Sequence, residues 1–147
     1  MSQKTEVTVK EVSRPILGTS EKIPLYASSP SAGFPAPGDD QVERVLDIND
    51  LVVQNPASTF FVRVAGDSME GAGIFSGDVL VVDRSKDTKD GVIVVAAVNG
   101  EMVVKRLLLT ADAQLLVSEN EGYAPITIGD GEECTVWGVV TGSVRQF

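Results

Sequence analysis

The sequence predicts a mostly β, compact antiparallel fold that is preceded by an extended N-terminal arm. Short β-rich runs recur at close spacing, tight-turn residues separate them, and helical periodicity is nearly absent. The clearest turn is Asn99-Gly100, a dipeptide typical of two-residue hairpins, between apolar runs at 92–98 and 102–109. With 147 residues, of which 43% are hydrophobic, the chain is expected to form one globular domain.

The elements are assigned in chain order. Residues 1–27 contain only short apolar patches, which specify no independent core, so they are interpreted as an arm. A short helix is predicted over residues 48–54, because Asp47 or Asn49 can cap it and Asn55-Pro56 can end it. Strands are predicted at residues 59–65, 79–83, 92–98, 102–109, 113–118 and 135–146.

Residues 28–40 connect the arm to the β-rich region. Their Pro, Gly and Ser content favours an extended, exposed backbone with few internal hydrogen bonds. Such a segment is accessible to a protease. Composition alone describes a plain linker equally well.

The residue types that are missing exclude many enzyme classes. The chain has no histidine, and Cys134 is its single cysteine. A Ser-His-Asp triad, a Cys-His dyad, an HExxH zinc site, a Cys-rich zinc ribbon and an internal disulfide all need residues that are absent. A general base must therefore be Lys, Asp, Glu or Tyr. No metal or cofactor is expected. Cys134 is interpreted as a small buried core residue.

Charge and hydropathy limit the partners and the location. The formal net charge is −9 with a pI near 4.4, so direct DNA binding through phosphate neutralisation is not expected. No apolar run reaches the roughly 18–20 residues that span a bilayer, and the N-terminus lacks the layout of a signal peptide. We expect a soluble, cytoplasmic protein without membrane contact.

A candidate nucleophile lies where a predicted strand ends in a glycine-flanked turn, Gly66-Asp67-Ser68. Glycine lets backbone N–H groups approach a substrate carbonyl, which suits a serine that attacks one. Gly-Asp-Ser is also common turn chemistry, so Ser68 taken alone can be an ordinary turn serine.

A candidate base lies in the strand that follows the Asn99-Gly100 turn, where Lys105 and Arg106 interrupt an apolar run. Both faces of this strand are apolar, so strand parity does not distinguish the two residues. Chemistry does, because burial disfavours a charged amine whereas guanidinium stays protonated. Lys105 is the candidate, unless it is a surface lysine whose head group reaches water.

Together these features resemble the LexA/UmuD family of self-cleaving Ser/Lys proteases. The resemblance covers about residues 30–140. The separations along the chain from Gly33 to Ser68 and from Ser68 to Lys105 are of the size that the family uses. The matching blocks are Gly66-Asp67-Ser68-Met69, Gly73-Ile74, residues 77–83, residues 91–94 and Val104-Lys105-Arg106-Leu107. One departure is Val92 after Gly91, where relatives usually carry Asp, which bears on the local turn.

The resemblance implies the roles of the site residues. Ser68 is the nucleophile, Lys105 is the general base, and the backbone N–H groups of Asp67 and Ser68 form the oxyanion hole. The scissile bond is Ala32-Gly33. Residues 1–32 would then be an arm removed by self-cleavage, and residues 33–147 a peptidase and polymerase-binding domain.

The likeness is greatest to the UmuD type, because no helix-turn-helix domain fits in residues 1–32. This implies a homodimer, stimulation of cleavage by a RecA nucleoprotein filament, and a Y-family DNA polymerase catalytic subunit as partner in error-prone translesion synthesis. A non-enzymatic regulatory binding module with an exchangeable N-terminal arm is the alternative. A signal peptidase shares Ser/Lys chemistry but needs a membrane anchor, and it ranks last.

Overall fold

The computed structural model describes residues 5–15, 23–26, 42–129, 131 and 133–147. These residues form ten strands and one α-helix, together with short 3-10 turns, so the mostly β prediction is confirmed. In chain order the elements are β1 Thr8–Ser13, β2 Ile23–Tyr26, β3 Val42–Leu46, α1 Ile48–Val52, β4 Thr59–Ala65, β5 Val79–Asp83, β6 Ile93–Val98, β7 Glu101–Leu109, β8 Gln114–Val117, β9 Ile126–Thr127 and β10 Cys134–Val144.

The described residues belong to two compact units. The smaller unit falls within Ile16–Gln54 and contains the antiparallel pair β2–β3 and helix α1. Helix α1 begins after Asp47, whose side chain accepts a hydrogen bond from the Asp50 backbone N–H at 2.8 Å. This cap satisfies a backbone donor that would otherwise have no partner in the first turn. The helix is confirmed, with an earlier end than predicted.

The larger unit falls within Met1–Pro15 and Asn55–Phe147 and is built around a closed antiparallel barrel. Its strands follow the order β1-β4-β5-β10-β6-β7, and β1 also pairs with β7, which closes the ring at Thr8 and Val103. Strands β8 and β9 extend the sheet beyond β7. Closure leaves no unpaired edge among the six barrel strands.

The interior of this unit holds two groups of buried apolar side chains. The first includes Val7, Val62, Met69, Leu80 and Val104, all fully buried. The second group comprises Val94, Ala96, Leu107, Leu116 and Val139. The two groups lie on opposite faces of β6 and β7, because successive residues of a strand point to opposite faces.

Most predicted strands agree with the structure. Strands β4 and β5 have the predicted bounds, and Asn99 and Gly100 form the hairpin turn with φ of 50° and 84°. Strand β1, in contrast, lies in the arm, where the sequence predicts no regular element. Its partners β4 and β7 are distant in sequence, so no local pattern predicts it. The division at residue 32 stays a prediction.

Candidate functional site

Ser68 lies in the turn that follows β4, and the structure buries it completely. Gly66 opens this turn with φ of 118°, a conformation that side chains other than glycine rarely adopt. A Cβ atom at Gly66 would collide with the backbone of Glu6 and Val7. The glycine therefore lets another chain segment approach the turn closely, which is the role predicted for it toward a substrate.

The segment after β8 holds the Ser68 turn in place. Glu119 donates its backbone N–H to the Ser68 carbonyl at 2.9 Å, and the Asn120 side-chain amide donates to the Asp67 carbonyl at 2.8 Å. The Tyr123 hydroxyl donates to the Asp67 carboxylate at 2.6 Å. Partial burial and then this hydrogen bond raise the pKa of Tyr123 to about 12, so the phenol stays a donor.

Lys105 lies in the middle of β7 and is only 2% exposed, so it is not a surface lysine. Its Nζ donates to Ser118 Oγ at 2.7 Å and forms an ion pair with Glu6. The adjacent Arg106 instead pairs with Glu119 and donates to the Gly91 carbonyl at 2.6 Å. The structure thus distinguishes the two cations, which strand parity did not. Lys105 lies at the candidate site, whereas Arg106 links β7 to Glu119 and Gly91.

Gly91, at the position of the departure from the family pattern, has φ of 87°. Its N–H donates to the Leu107 carbonyl at 2.8 Å, and the Val92 carbonyl accepts from Leu107 N–H at 2.8 Å. The turn is therefore hydrogen-bonded to β7 with valine at position 92.

The tripeptide Thr5–Val7 lies across the site. The Thr5 carbonyl oxygen accepts from the backbone N–H groups of Asp67, at 2.7 Å, and Ser68, at 3.1 Å. Val7 donates its N–H to Ser68 Oγ at 2.8 Å and accepts from the Val104 N–H at 3.1 Å. The tripeptide contacts both candidate catalytic side chains, because Glu6 also pairs with Lys105.

This arrangement can stabilise an oxyanion. Two backbone donors converge on one carbonyl oxygen at hydrogen-bond distance, which is the geometry required of an oxyanion hole. Among the described contacts, no hydrogen bond joins Ser68 Oγ to Lys105 Nζ. Each group is instead engaged by the tripeptide. Ala32 and Gly33 lie outside the described residues, so their position relative to Ser68 stays a prediction.

Several residues of the site were missed from the sequence. Glu6 differs in no local respect from Glu11 of the same arm, because its partner Lys105 is close only in the fold. Ser118 is the first polar residue after the apolar run 115–117, a weak signal that a strand ends there. Tyr123 follows a glycine in a loop and carries no signal of its own.

Other features of the described residues lie apart from this site. A cleft of about 350 Å³ is lined by Arg63, Asp78, Val144 and Arg145, among others, and shares no residue with the Ser68 site. In the described part of the chain, no three His, Cys, Asp or Glu side chains are grouped to hold a metal ion. No helix found there has the length and apolar character needed to cross a membrane.

Comparison with known proteins agrees with the resemblance found in the sequence. The family described as Peptidase S24-like matches residues 24–141. Protein MucA of Salmonella typhimurium is 42% identical over 84% of this chain and 85% of its own length, and Protein ImpA of Escherichia coli is 43% identical over 84% and 83%. LexA repressor 1 of Xanthomonas campestris pv. campestris is 38% identical over 79% of this chain and 57% of its own length. The chain therefore belongs to the S24-like peptidase family, and this membership supports a serine peptidase that cleaves itself.

Proposed function

We propose that the chain is a serine endopeptidase that cuts its own Ala32-Gly33 bond with Ser68 as nucleophile and Lys105 as general base. The observation that carries the proposal is the convergence of the Asp67 and Ser68 N–H groups on one peptide carbonyl beside the Ser68 hydroxyl. Burial of Lys105 at the same site supports it further, because its amine is shielded from bulk water there.

The reaction proceeds in two steps. Neutral Lys105 accepts the Ser68 hydroxyl proton while Oγ attacks the Ala32 carbonyl carbon, and the oxyanion forms between the N–H groups of Asp67 and Ser68. Collapse breaks the bond to the Gly33 nitrogen, which takes the proton from Lys105. Water then hydrolyses the Ser68 ester with Lys105 as base again, and Ala32 leaves as a carboxylate.

The fragment 33–147 is the active form in error-prone DNA synthesis. As the resemblance to UmuD implies, it forms a homodimer and serves a Y-family polymerase catalytic subunit. A RecA filament on single-stranded DNA stimulates the cut by favouring the pose in which Ala32-Gly33 is docked. SOS mutagenesis after DNA damage is the process that this regulation serves.

Variants of the two side chains test the chemistry. Purified wild type held at raised pH should release the fragment 33–147, because a lysine base acts only when neutral. Ser68→Ala, Lys105→Ala and Lys105→Arg should slow release by about a thousandfold or more. The controls Ser76→Ala and Lys89→Ala alter exposed residues and should cleave at the wild-type rate. An unchanged rate in Ser68→Ala or Lys105→Ala would reject the proposal.

The second candidate is a regulatory binding module without enzymatic activity. Its support is that Thr5–Val7 occupies the groove formed by the Ser68 turn and β7, where the segment is held as a ligand would be. In this candidate Ser68 and Lys105 only bind the arm. Their substitution would then weaken binding of the arm, and wild type would stay intact at raised pH.

A further inference from the structure

We propose that Thr5–Val7 is a built-in inhibitory occupant of the catalytic groove, which the scissile segment 32–34 must displace in the same register. This inference rests on the proposed function and names the regulation of that site. It begins from the Thr5 carbonyl, which occupies both oxyanion-hole donors at 2.7 and 3.1 Å. Because the carbonyl under attack needs the same donors, Ala32 can be cut only after Thr5 has left.

The register of the occupant defines the register of the substrate. With the Ala32 carbonyl in the place of the Thr5 carbonyl, Gly33 takes the position of Glu6 and Phe34 that of Val7. The backbone at Val7 bonds to Ser68 Oγ and to the Val104 N–H, as an added strand would. The Val7 side chain is fully buried in the first apolar group, so this position accepts an apolar residue.

Occupant and substrate differ at the position that faces Lys105. Glu6 places a carboxylate against the buried amine, whereas Gly33 has no side chain. While it is paired with Glu6, Lys105 Nζ makes no hydrogen bond to Ser68 Oγ among the described contacts. The ion pair also anchors the tripeptide. Glu6 therefore both blocks the groove and engages the base, and replacement by the scissile segment removes both effects at once.

The Ser68 hydroxyl is occupied as well. It accepts the N–H of Val7 at 2.8 Å, so one of its lone pairs is engaged by the occupant. The Thr5 N–H in turn donates to the Asp67 carboxylate at 2.8 Å. The Ser68 turn is also bonded to Glu119, Asn120 and Tyr123, so it keeps these contacts when a change at Glu6 loosens the docked arm.

The experiment compares Glu6→Gln with the matched control Glu11→Gln in the full-length chain. Glu11 lies in the same arm, is exposed, and pairs with Arg63 outside the site. We expect Glu6→Gln to raise the rate of Ala32-Gly33 cleavage about tenfold, the effect of losing one partly buried charged contact. Glu11→Gln should leave the rate unchanged.

Hydrogen exchange followed by mass spectrometry gives a readout that does not depend on cleavage. The backbone amides at positions 67, 68 and 104 should exchange faster with Glu6→Gln than with Glu6 intact or with Glu11→Gln, because the arm protects them. The comparison is made in a Ser68→Ala background, so that all three chains stay intact. Faster exchange there would show that Glu6 anchors the tripeptide whether or not wild type cleaves, so a failure of the proposed protease is distinguished from a failure of the docking contact.

The inference is overturned if the wild type cleaves while Glu6→Gln changes neither the rate nor the exchange. A fragment that begins at position 6 would also overturn it, since Thr5 would then lie in the groove as a substrate. Slower cleavage in Glu6→Gln would show instead that the arm assists the reaction.

Discussion

At the scale of single residues, the account depends on how Lys105 is held inside the barrel unit. A buried amine loses hydration, and its partners decide where it points. Three partners are defined, the Ser118 hydroxyl, the Glu6 carboxylate and the Tyr123 ring, whose centroid lies 5.8 Å from Nζ. If the arm leaves during the reaction, Ser118 is the hydrogen-bond partner that stays, so it acts as a positioning residue for the base.

Substitution of Ser118 tests this role. Ser118→Ala should slow self-cleavage about tenfold, because the amine loses the hydrogen bond that orients it. Ser118→Thr keeps the hydroxyl and should restore most of the rate. Cleavage rates and thermal midpoints are measured for both variants. A rate for Ser118→Ala equal to wild type, or a loss that threonine fails to restore, would contradict the role.

The candidate dyad could be predicted from the sequence, whereas its surroundings could not. Ser68 stands in a glycine-flanked turn and Lys105 in an apolar strand, and both signals are local. The contact of Glu6 with Lys105 joins residues far apart in the chain, and nothing near Glu6 marks it. Long-range pairs of this kind become visible only when the strands are placed.

At the scale of elements, alternating runs with turn residues between them predicted β4 to β8 and β10 well. The strands that were missed are short, like β9, or lie in the arm and its vicinity, where apolar patches are brief. Strand β1 has mostly exposed side chains and is fixed by backbone pairing with β4 and β7. Pairing of this type leaves no hydrophobic pattern in the sequence.

Two buried carboxylates hold the ends of β5 against other elements. Arg145 donates to Asp78, and this contact, together with a backbone N–H from Phe75, outweighs burial and lowers the pKa of Asp78. Burial acts to raise the pKa of Asp83, but hydrogen bonds from Asn55, Ser85 and Ser58 together hold that pKa below its usual range.

These lowered pKa values predict acid sensitivity of the fold. A carboxylate with a folded pKa below its unfolded value, about 3.9 for Asp, contributes stability above that value and loses it as pH falls toward the folded pKa. The thermal midpoint should therefore decrease when the pH is lowered below about 4. Asp78→Asn should have a lower midpoint than wild type at pH 7 and should show a smaller decrease in acid. Calorimetry at pH 7, 4 and 3 measures both, and equal midpoints at pH 7 and 3 would contradict the prediction.

At the scale of the whole molecule, β1 belongs to the barrel although it precedes the proposed cut. The same segment supplies Val7 to the core and Thr5–Val7 to the groove, so the arm is both a structural strand and the occupant of the site. Cleavage at Ala32-Gly33 would break the covalent link between this strand and the rest of its barrel. The proposed reaction therefore shortens the chain and also removes the covalent connection of β1 to the other barrel strands.

The central claim is that the Ser68 hydroxyl, activated by Lys105, attacks the Ala32 carbonyl. N-terminal sequencing with intact mass measurement of the processed protein tests it most directly. The account predicts a single fragment of residues 33–147 that begins Gly-Phe-Pro, formed by wild type and not by Ser68→Ala. A different new N-terminus, or the same fragment from purified Ser68→Ala, would contradict it.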